Sequence, residues 1–310
     1  MHVPWGEVQL FLAVADAGSL SRAARALRVT QPTVSRRLAE LEAGLGEPLF
    51  ARSVDGATLT SFGERMLEPA RRMAESAADV ERVAEGADAR PGGIVRVTAP
   101  PGVAFDFLAP FAASLRERLP DVRLEVVSTV SYLDLAKREA DLGLRVGALD
   151  RTTAPRDLVT LATVTHGVAA YATSGYIASL PRGYGLPDVG WIAWPPSHDH
   201  VPPNPQLAAL IPGFRPVFAS DDFLVQLRAA EAGAGAIALG RFRPRLALAT
   251  PLVELSLPFG KLVASLHLVC ARASLAIPRV KAVADLLVAE MQAEGRKPPG
   301  RRGRQGQNPE

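Results

Sequence analysis

Ser19–Arg52 reads SLSRAARALRVTQPTVSRRLAELEAGLGEPLFAR. The spacing predicts a short helix from Ser19 to about Leu27, a tight turn through Arg28-Val29, and a second helix from Thr30 to about Gly44. Thr30 suits the N-cap, and Pro32 falls in the first turn, where its missing N–H costs nothing. Val34, Leu38, Leu41 and Leu45 form one apolar stripe. Thr33, Arg36 and Glu40 turn away from it, with Gln31, Ser35 and Arg37 on its flanks. A helix docked on a small core while presenting Gln, Thr, Ser and Arg outward is what a major-groove reader requires. An ordinary helical hairpin with a solvated polar face is the competing reading of these residues alone.

The flanks favour the first reading. Trp5–Ala17 (WGEVQLFLAVADA) is a further apolar helix that closes a mini-core through Val8, Leu10, Phe11, Leu12 and Val14. Leu49–Arg52 and Ala57–Thr60, joined through Val54-Asp55-Gly56, read as two short strands, a wing. From Trp5 to Gly63 the chain resembles the winged helix-turn-helix of LysR-type transcriptional regulators. FLAVADAGSLSRAARALRVTQPTVSRRLAELEAGLGEPLFAR is close to that family's signature, and LTSFGERML resembles its continuation. The resemblance implies base contacts from Gln31, Thr33 and Arg36, with Ser35 and Arg37 divided between bases and phosphates. Ser21 and Arg52 are expected on the DNA backbone.

The net charge of +3 does not itself argue for DNA. The segment 295–310 carries Arg296, Lys297, Arg301, Arg302 and Arg304 against Glu310, and without it the chain is at −1. The local balance within Ser19–Arg52, six Arg against three Glu, is the informative one. Cys270 is the single cysteine, so no disulfide can form within the chain and no Cys-rich zinc site exists. Its setting, LHLVCAR, reads as a buried strand and an inert thiol. The N-terminus lacks a signal-peptide pattern and no apolar run approaches a membrane span, so a cytoplasmic protein with no membrane partner is expected.

Ser61 to about Ala89 reads as a long helix. Met66, Leu67, Ala70, Met73, Ala74, Ala77, Val80 and Val83 lie near heptad spacing, and Pro69 is inside it. Such a face needs cover, either a second copy of itself or the downstream domain. The resemblance favours a dimerisation helix centred on Met66, Met73 and Val80. Breaker residues from Ala87 to Gly93 then mark a boundary.

Strand and helix alternate from Gly93 onward. Strands are expected at Ile94–Thr98, Val122–Val127, Leu142–Arg145, Leu158–Thr163, Val168–Ala172, Trp191–Trp194, Arg215–Ala219, Ala234–Leu239, Leu252–Leu255 and Leu262–Cys270. Helices are expected at Ala104–Arg118, Tyr132–Glu139, Phe223–Ala232 and Ile277–Glu294. That order argues for parallel sheets with right-handed crossovers. IVRVTAP, LAPFAASLRERLPDVRLEV, LDLAKREADLGLRVG and VFASDDFLVQLRAAEAGAGAIALG resemble the LysR-type effector domain; 181–216 aligns with little. The expected architecture is an α+β winged helix-turn-helix (1–60), a linker helix (61–90), and an α/β two-lobe periplasmic-binding-protein-like (type 2) effector domain (93–294). Lobe 1 takes about 93–161 and 264–294, and lobe 2 about 162–263. A disordered basic tail (295–310) is expected to follow.

No catalytic constellation emerges. His198-Asp199-His200 lacks a third metal ligand, and Gly233-Ala234-Gly235-Ala236 lies between helix and strand in the order opposite to a phosphate loop. Gly233 reads better as a helix C-cap. No cofactor and no metal are expected. In two-lobe α/β domains, ligands sit at the carboxyl ends of strands. That places Pro101, Gly102, Val103, Thr129, Arg145, Ser220 and Asp221 at an effector site. Many family members carry Ser or Thr where Pro101-Gly102 fall, to bind an anion. This chain has lost that hydroxyl, although the backbone N–H groups of Gly102 and Val103 keep an anion open. Arg145 serves either as the fixed cation there or in an ion pair with Asp141 or Glu139. The partners implied are double-stranded DNA, a second copy of the chain (with a homotetramer as the next step), a small-molecule effector and RNA polymerase. The rival function is a cytoplasmic solute-binding or enzymatic α/β protein with an unrelated helical N-terminus.

Overall fold

A computed structural model describes residues 2–53, 56–84, 91–147, 157–240, 250–257 and 263–296, the side chains of residues 52, 53, 82, 83 and 294–296 excepted. The chain forms two compact units, Met1–Arg90 and Pro91–Glu310.

The first unit runs α1 (Trp5–Ala17), α2 (Leu20–Ala26), α3 (Gln31–Leu45), β1 (Phe50–Ser53), β2 (Gly56–Leu59) and α4 (Ser61–Ala84). Thr30 caps α3, its hydroxyl accepting the Thr33 N–H at 3.4 Å. Gly18 (φ 60°) and Gly46 (φ 80°) end α1 and α3 in the left-handed conformation that favours glycine. The core joins Val8, Leu10, Phe11 and Val14 of α1 to Ala23 and Ala24 of α2, Val34 and Leu38 of α3, and Leu49 and Phe50. Leu41 and Leu45 pack against it half-buried, so the whole predicted stripe is used. β1 and β2 pair antiparallel from Phe50↔Leu59 to Ser53↔Gly56. Pro69 lies inside α4 without ending it. Val54, Asp55 and the expected last turn of the long helix, 85–90, lie outside the described residues, as does the segment 297–310.

The second unit is built on β3 (Gly93–Ala99), β4 (Val122–Ser128), β5 (Leu142–Val146), β6 (Leu158–Thr173), β7 (Trp191–Ala193), β8 (Phe218–Ala219), β9 (Ala236–Gly240), β10 (Leu252–Glu254) and β11 (Val263–Ala271). Their order is β4-β3-β5-β11-β6-β9-β7-β8, with β10 also on β6. A helical run of α5 (Pro101–Val103), a π-turn (Ala104–Leu108) and α6 (Ala109–Arg118) follows β3. The others are α7 (Ser174–Ser179), α8 (Asn204–Leu210), α9 (Phe223–Glu231) and α10 (Pro278–Arg296).

Four expectations change. The two strands predicted within 158–172 are one, because β11 pairs with β6 up to Val263↔Gly167 and β9 takes over at Val168↔Gly240. β6 thus changes its pairing partner from β11 to β9 at Gly167-Val168. The sheet is mixed: β3, β4 and β5 are parallel, as are β7, β8 and β9, but β6 and β11 run antiparallel to their neighbours. No helix forms at Tyr132–Glu139. The Asp134 carboxylate accepts the N–H groups of Ala136 (3.0 Å) and Lys137 (3.2 Å), while the Glu139 carboxylate accepts that of Asp134 (2.7 Å). Side chains have taken over the backbone donors a helix would need, and Arg138 turns out at φ 58°. The strand expected over Arg215–Ala219 shrinks to its last two residues, and 181–216, opaque in sequence, contains α8.

Lobe 1 packs Val95, Val97, Leu142, Leu144 and Leu268 against Leu108 and Leu115 and, on α10, Val280, Val283 and Leu287. Lobe 2 packs Ala170, Ala172, Trp191 and Ala236 around Leu207 of α8. At the edge of the first core the Arg96 N–H donates to Asp141 Oδ2 (2.8 Å), and burial raises the Asp141 carboxyl above its usual 3.8 despite that bond and the nearby Arg279, Arg96 and Arg138. A carboxyl with a raised folded pKa contributes stability that is complete below its unfolded pKa and is lost as pH rises through the folded one. Asp141→Asn keeps an acceptor for Arg96 and removes the ionisation. Relative to the parent, the variant should therefore gain stability between pH 4 and pH 7. Urea unfolding at both pH values tests this; parallel profiles for the two proteins would refute it.

Candidate nucleic-acid interface and effector cavity

The buried side of α3 fixes what its other side can do. Val34 and Leu38 are fully buried, whereas Gln31 and Arg36 are exposed and Thr33 and Ser35 half-buried. The Thr33 hydroxyl lies 2.8 Å from that of Thr30, so it shares the capping bond. Arg36 sits 3.9 Å from Glu40, but the two side chains are 74% and 66% exposed. Such a pair is worth little in water, and its guanidinium is easily given to another anion. Arg22, Arg25 and Arg28 are exposed nearby, as is Ser21, whose carbonyl accepts from Arg25 Nε at 3.5 Å. The Arg52 side chain lies outside the described residues.

Arg37 occupies a different setting. Its Nε and Nη2 donate to Glu7 Oε1 at 3.2 and 2.7 Å, and Nη2 also donates to the Gly6 carbonyl at 3.1 Å. This clamp ties the first turns of α3 to the start of α1. A second one was missed in the sequence: Glu42 Oε1 accepts the N–H groups of Leu49 (2.8 Å) and Phe50 (3.1 Å) and so anchors the wing to α3. The signal was available, because Glu42 stands four residues after Leu38 and shares the apolar face.

Along α4, Met66 packs half-buried against the core of its own unit and Ala70 is buried. Met73 and Val80 are exposed, at 40% and 69%.

In the second unit a cavity of about 420 Å³ opens between the two lobes. The carboxyl ends of β3, β5, β7 and β9 reach it, and its walls include Gly102, Val103, Phe107, Tyr132, Trp194 and Phe223. The π-turn carries Asp106 and Phe107 to the wall, a wide turn of a kind often found at functional sites. Of the sequence candidates, Gly102 and Val103 line the cavity, while Pro101, Thr129, Arg145, Ser220 and Asp221 do not. Thr129 Oγ1 accepts the Ser131 N–H (3.1 Å) and shapes the turn that brings Ser131 and Tyr132 to the wall. Ser220 Oγ accepts the Asp222 N–H (3.1 Å), and Asp222 caps α9, which presents Phe223. Val146 lines the cavity, so the strand alternation turns Arg145 to the other face. There its guanidinium lies 4.6 Å over the Tyr132 ring and donates to the Leu133 carbonyl (3.3 Å); desolvation works against its charge. The predicted ion-pair partners are used elsewhere, Asp141 on the Arg96 N–H and Glu139 on that of Asp134.

His198, Asp199 and His200 have packing roles. Asp199 Oδ1 accepts from Asn204 Nδ2 (3.1 Å), and the His198 ring stacks between Trp194 and His200 at 6.1 and 6.3 Å. Among the described residues no group of three His, Cys, Asp or Glu is placed to hold a metal, and no helix is long and apolar enough to cross a membrane. Cys270 is fully buried, and burial pushes its thiol up to about 11. The C-cap of α9 is Ala232 rather than Gly233, which follows it, two residues beyond Glu231, at φ 83° in the left-handed region that favours glycine.

Comparison with known proteins agrees with this geometry. The chain is 35% identical over 144 residues to the HTH-type transcriptional regulator CrgA of Neisseria meningitidis (serogroup C, strain 8013), covering 46% of this chain and 48% of CrgA. It is 35% identical over 181 residues to a probable hydrogen peroxide-inducible genes activator of Mycobacterium xenopi, covering 58% of this chain and 90% of that protein. The chain spans about half the length of the curated CrgA relatives it matches. Its fold is similar to that of full-length CbnR complexed with its target DNA, with a TM-score of 0.60 at 18% identity over 93% of this chain and 100% of that one. Residues 5–64 match the family model for bacterial regulatory helix-turn-helix proteins of the lysR family, and residues 88–292 match the model for the LysR substrate binding domain. With the second match alone covering more than half of its length, the chain belongs to the LysR family.

Proposed function

We propose that this chain is a sequence-specific DNA-binding transcriptional regulator that answers to a small molecule. The observation that carries the reading is the two-sided α3: Val34 and Leu38 are fully buried while Gln31 and Arg36 stand exposed at its N-terminal half. That end of a recognition helix enters the major groove. Gln31, Thr33 and Arg36 then reach base edges, and Ser35 contacts base or phosphate. Ser21 and Arg52 contact the backbone, with Arg22, Arg25 and Arg28 adding phosphate charge. Arg37 contributes first as the clamp that orients α3. The exposed half of α4 pairs two copies, which sets two recognition helices on successive half-sites. A ligand in the lobe cavity shifts the balance between two arrangements of the dimer. Its work is on the chromosome, in the cytoplasm.

Arg36→Ala tests the reading. It should cost about 1–3 kcal/mol of discrimination between operator and mismatched sites, whereas Arg22→Ala should weaken all sequences alike and flatten the salt dependence. Binding titrations at two salt concentrations separate the two effects. Unchanged affinity and preference in Arg36→Ala would remove α3 from the groove.

A further inference from the structure

The turn between β3 and α5 is where a family anion would dock, and here it is closed to one. Pro101 has no N–H, and the N–H groups of Val103 and Ala104 both donate to the Pro100 carbonyl at 2.9 Å. Gly102 is covered from the other lobe: a Cβ there would stand 3.3 Å from Phe223 Cζ. The cap that aims Phe223 is well made, with Asp222 Oδ1 accepting the Leu224 N–H at 2.7 Å. An aromatic ring therefore occupies the space over the helix start.

The rest of the wall has the same character. Phe107, Trp194, Val201, Leu239 and Leu266 supply apolar surface from both lobes, and Asp106 adds a carboxylate. No Lys or Arg is among the described residues lining the cavity, Arg145 being turned to the opposite face. An ionised carboxylate or sulfonate entering such a site loses its water and, among the described lining residues, meets the imidazole of His200 but no Lys or Arg. The size suggests more than one ring. A cavity of about 150 Å³ holds one benzene, and this one has about 420 Å³.

We propose that the cavity selects an uncharged, largely aromatic molecule of two or three rings, held between Phe107, Phe223 and Trp194, rather than an organic anion. This rests on the reading of the cavity as the effector site. Ring faces supply the affinity, and Ser131 at the mouth supplies a hydroxyl for a single polar substituent. The ligand sits beside Gly102 of one lobe and Phe223 of the other, so it bridges the lobes.

The test uses two fluorescent probes with one aromatic frame, N-phenyl-1-naphthylamine and its sulfonate, 1-anilinonaphthalene-8-sulfonate, titrated into the full chain at pH 8. The neutral probe should bind saturably at one site per chain, at least tenfold tighter than the sulfonate. Ala264→Phe, which fills the cavity from β11, should abolish that binding while circular dichroism stays unchanged. Ser131→Lys, which adds a cation at the mouth, should narrow the preference at least threefold. Sulfonate binding as tight as the neutral probe, lost in Ala264→Phe, would leave the site standing and overturn the ligand class. Neutral-probe binding that survives in a folded Ala264→Phe would overturn the site itself. Absence of saturable binding by the neutral probe would overturn the proposal outright.

Discussion

Gly63→Ala should destabilise the first unit by about 3 kcal/mol or more, a loss expected only of a change the backbone cannot absorb. Gly63 is the third residue of α4, and a Cβ built there would collide with the Leu49 carbonyl oxygen and lie 2.9 Å from Leu59 Cδ2. The neighbour is backbone, its carbonyl accepting both the Thr60 N–H (3.0 Å) and the Thr60 hydroxyl (3.3 Å). Thr60 Oγ1 donates to the carbonyls of Pro48 (2.7 Å) and Leu49 (3.3 Å) and accepts the Gly63 N–H (3.1 Å). Relief would require α4 to leave the wing. Gly44→Ala is the control: it lies in α3 with nothing within 4 Å of its Cβ position, and should stabilise by up to about 1 kcal/mol through helix propensity. Urea unfolding followed by the fluorescence of Trp5, the one tryptophan of this unit, measures both. Equal midpoints for the two variants would contradict the close approach of α4 to Leu49.

Met73→Asp should raise the dimer dissociation constant by a hundredfold or more, about 3 kcal/mol, by burying an unpaired carboxylate in the proposed α4 interface. Met73 is 40% exposed in the single chain and Val80 69%, so the change costs the isolated unit little. Met66→Asp should behave differently. That side chain packs against the core of its own unit, so it should lower the unit's stability as well. Sedimentation of the three proteins at micromolar concentration checks the interface. A monomeric parent protein, or a dimeric Met73→Asp, would move the contact off this face.

The helix-turn-helix was legible because its determinants are local. An N-cap threonine, a first-turn proline and a stripe at i, i+4 and i+7 act within one helix, and α3 follows them from Gln31 to Leu45. The exposed set on α3 was legible for the same reason, since burying Val34 and Leu38 leaves Gln31 and Arg36 no other side to take. The core strands of the second unit announced themselves through short apolar runs. The family resemblance carried the domain order further than periodicity could.

What the sequence could not supply depended on partners distant in the chain. Arg37, on the flank of the stripe, was expected at bases or phosphates, but Glu7, thirty residues earlier, holds it. Thr129 and Ser220 stood at strand ends as predicted, yet their hydroxyls serve the turns beside them, and the residues those turns present line the cavity instead. Alternation along β5 puts Arg145 and Val146 on opposite faces, but only the packing of the second unit shows that the cavity lies on the Val146 side. The helix predicted at Tyr132–Glu139 lost to side-chain bonds from Asp134 and Glu139 that a periodicity count ignores. The sequence by itself determined the local elements and the reading helix, because backbone propensity and apolar spacing act over a few residues. Only the tertiary structure decided the ligand cavity, because its walls come from strand ends and turns of both lobes, more than a hundred residues apart, and their orientation is set by pairing and packing between them.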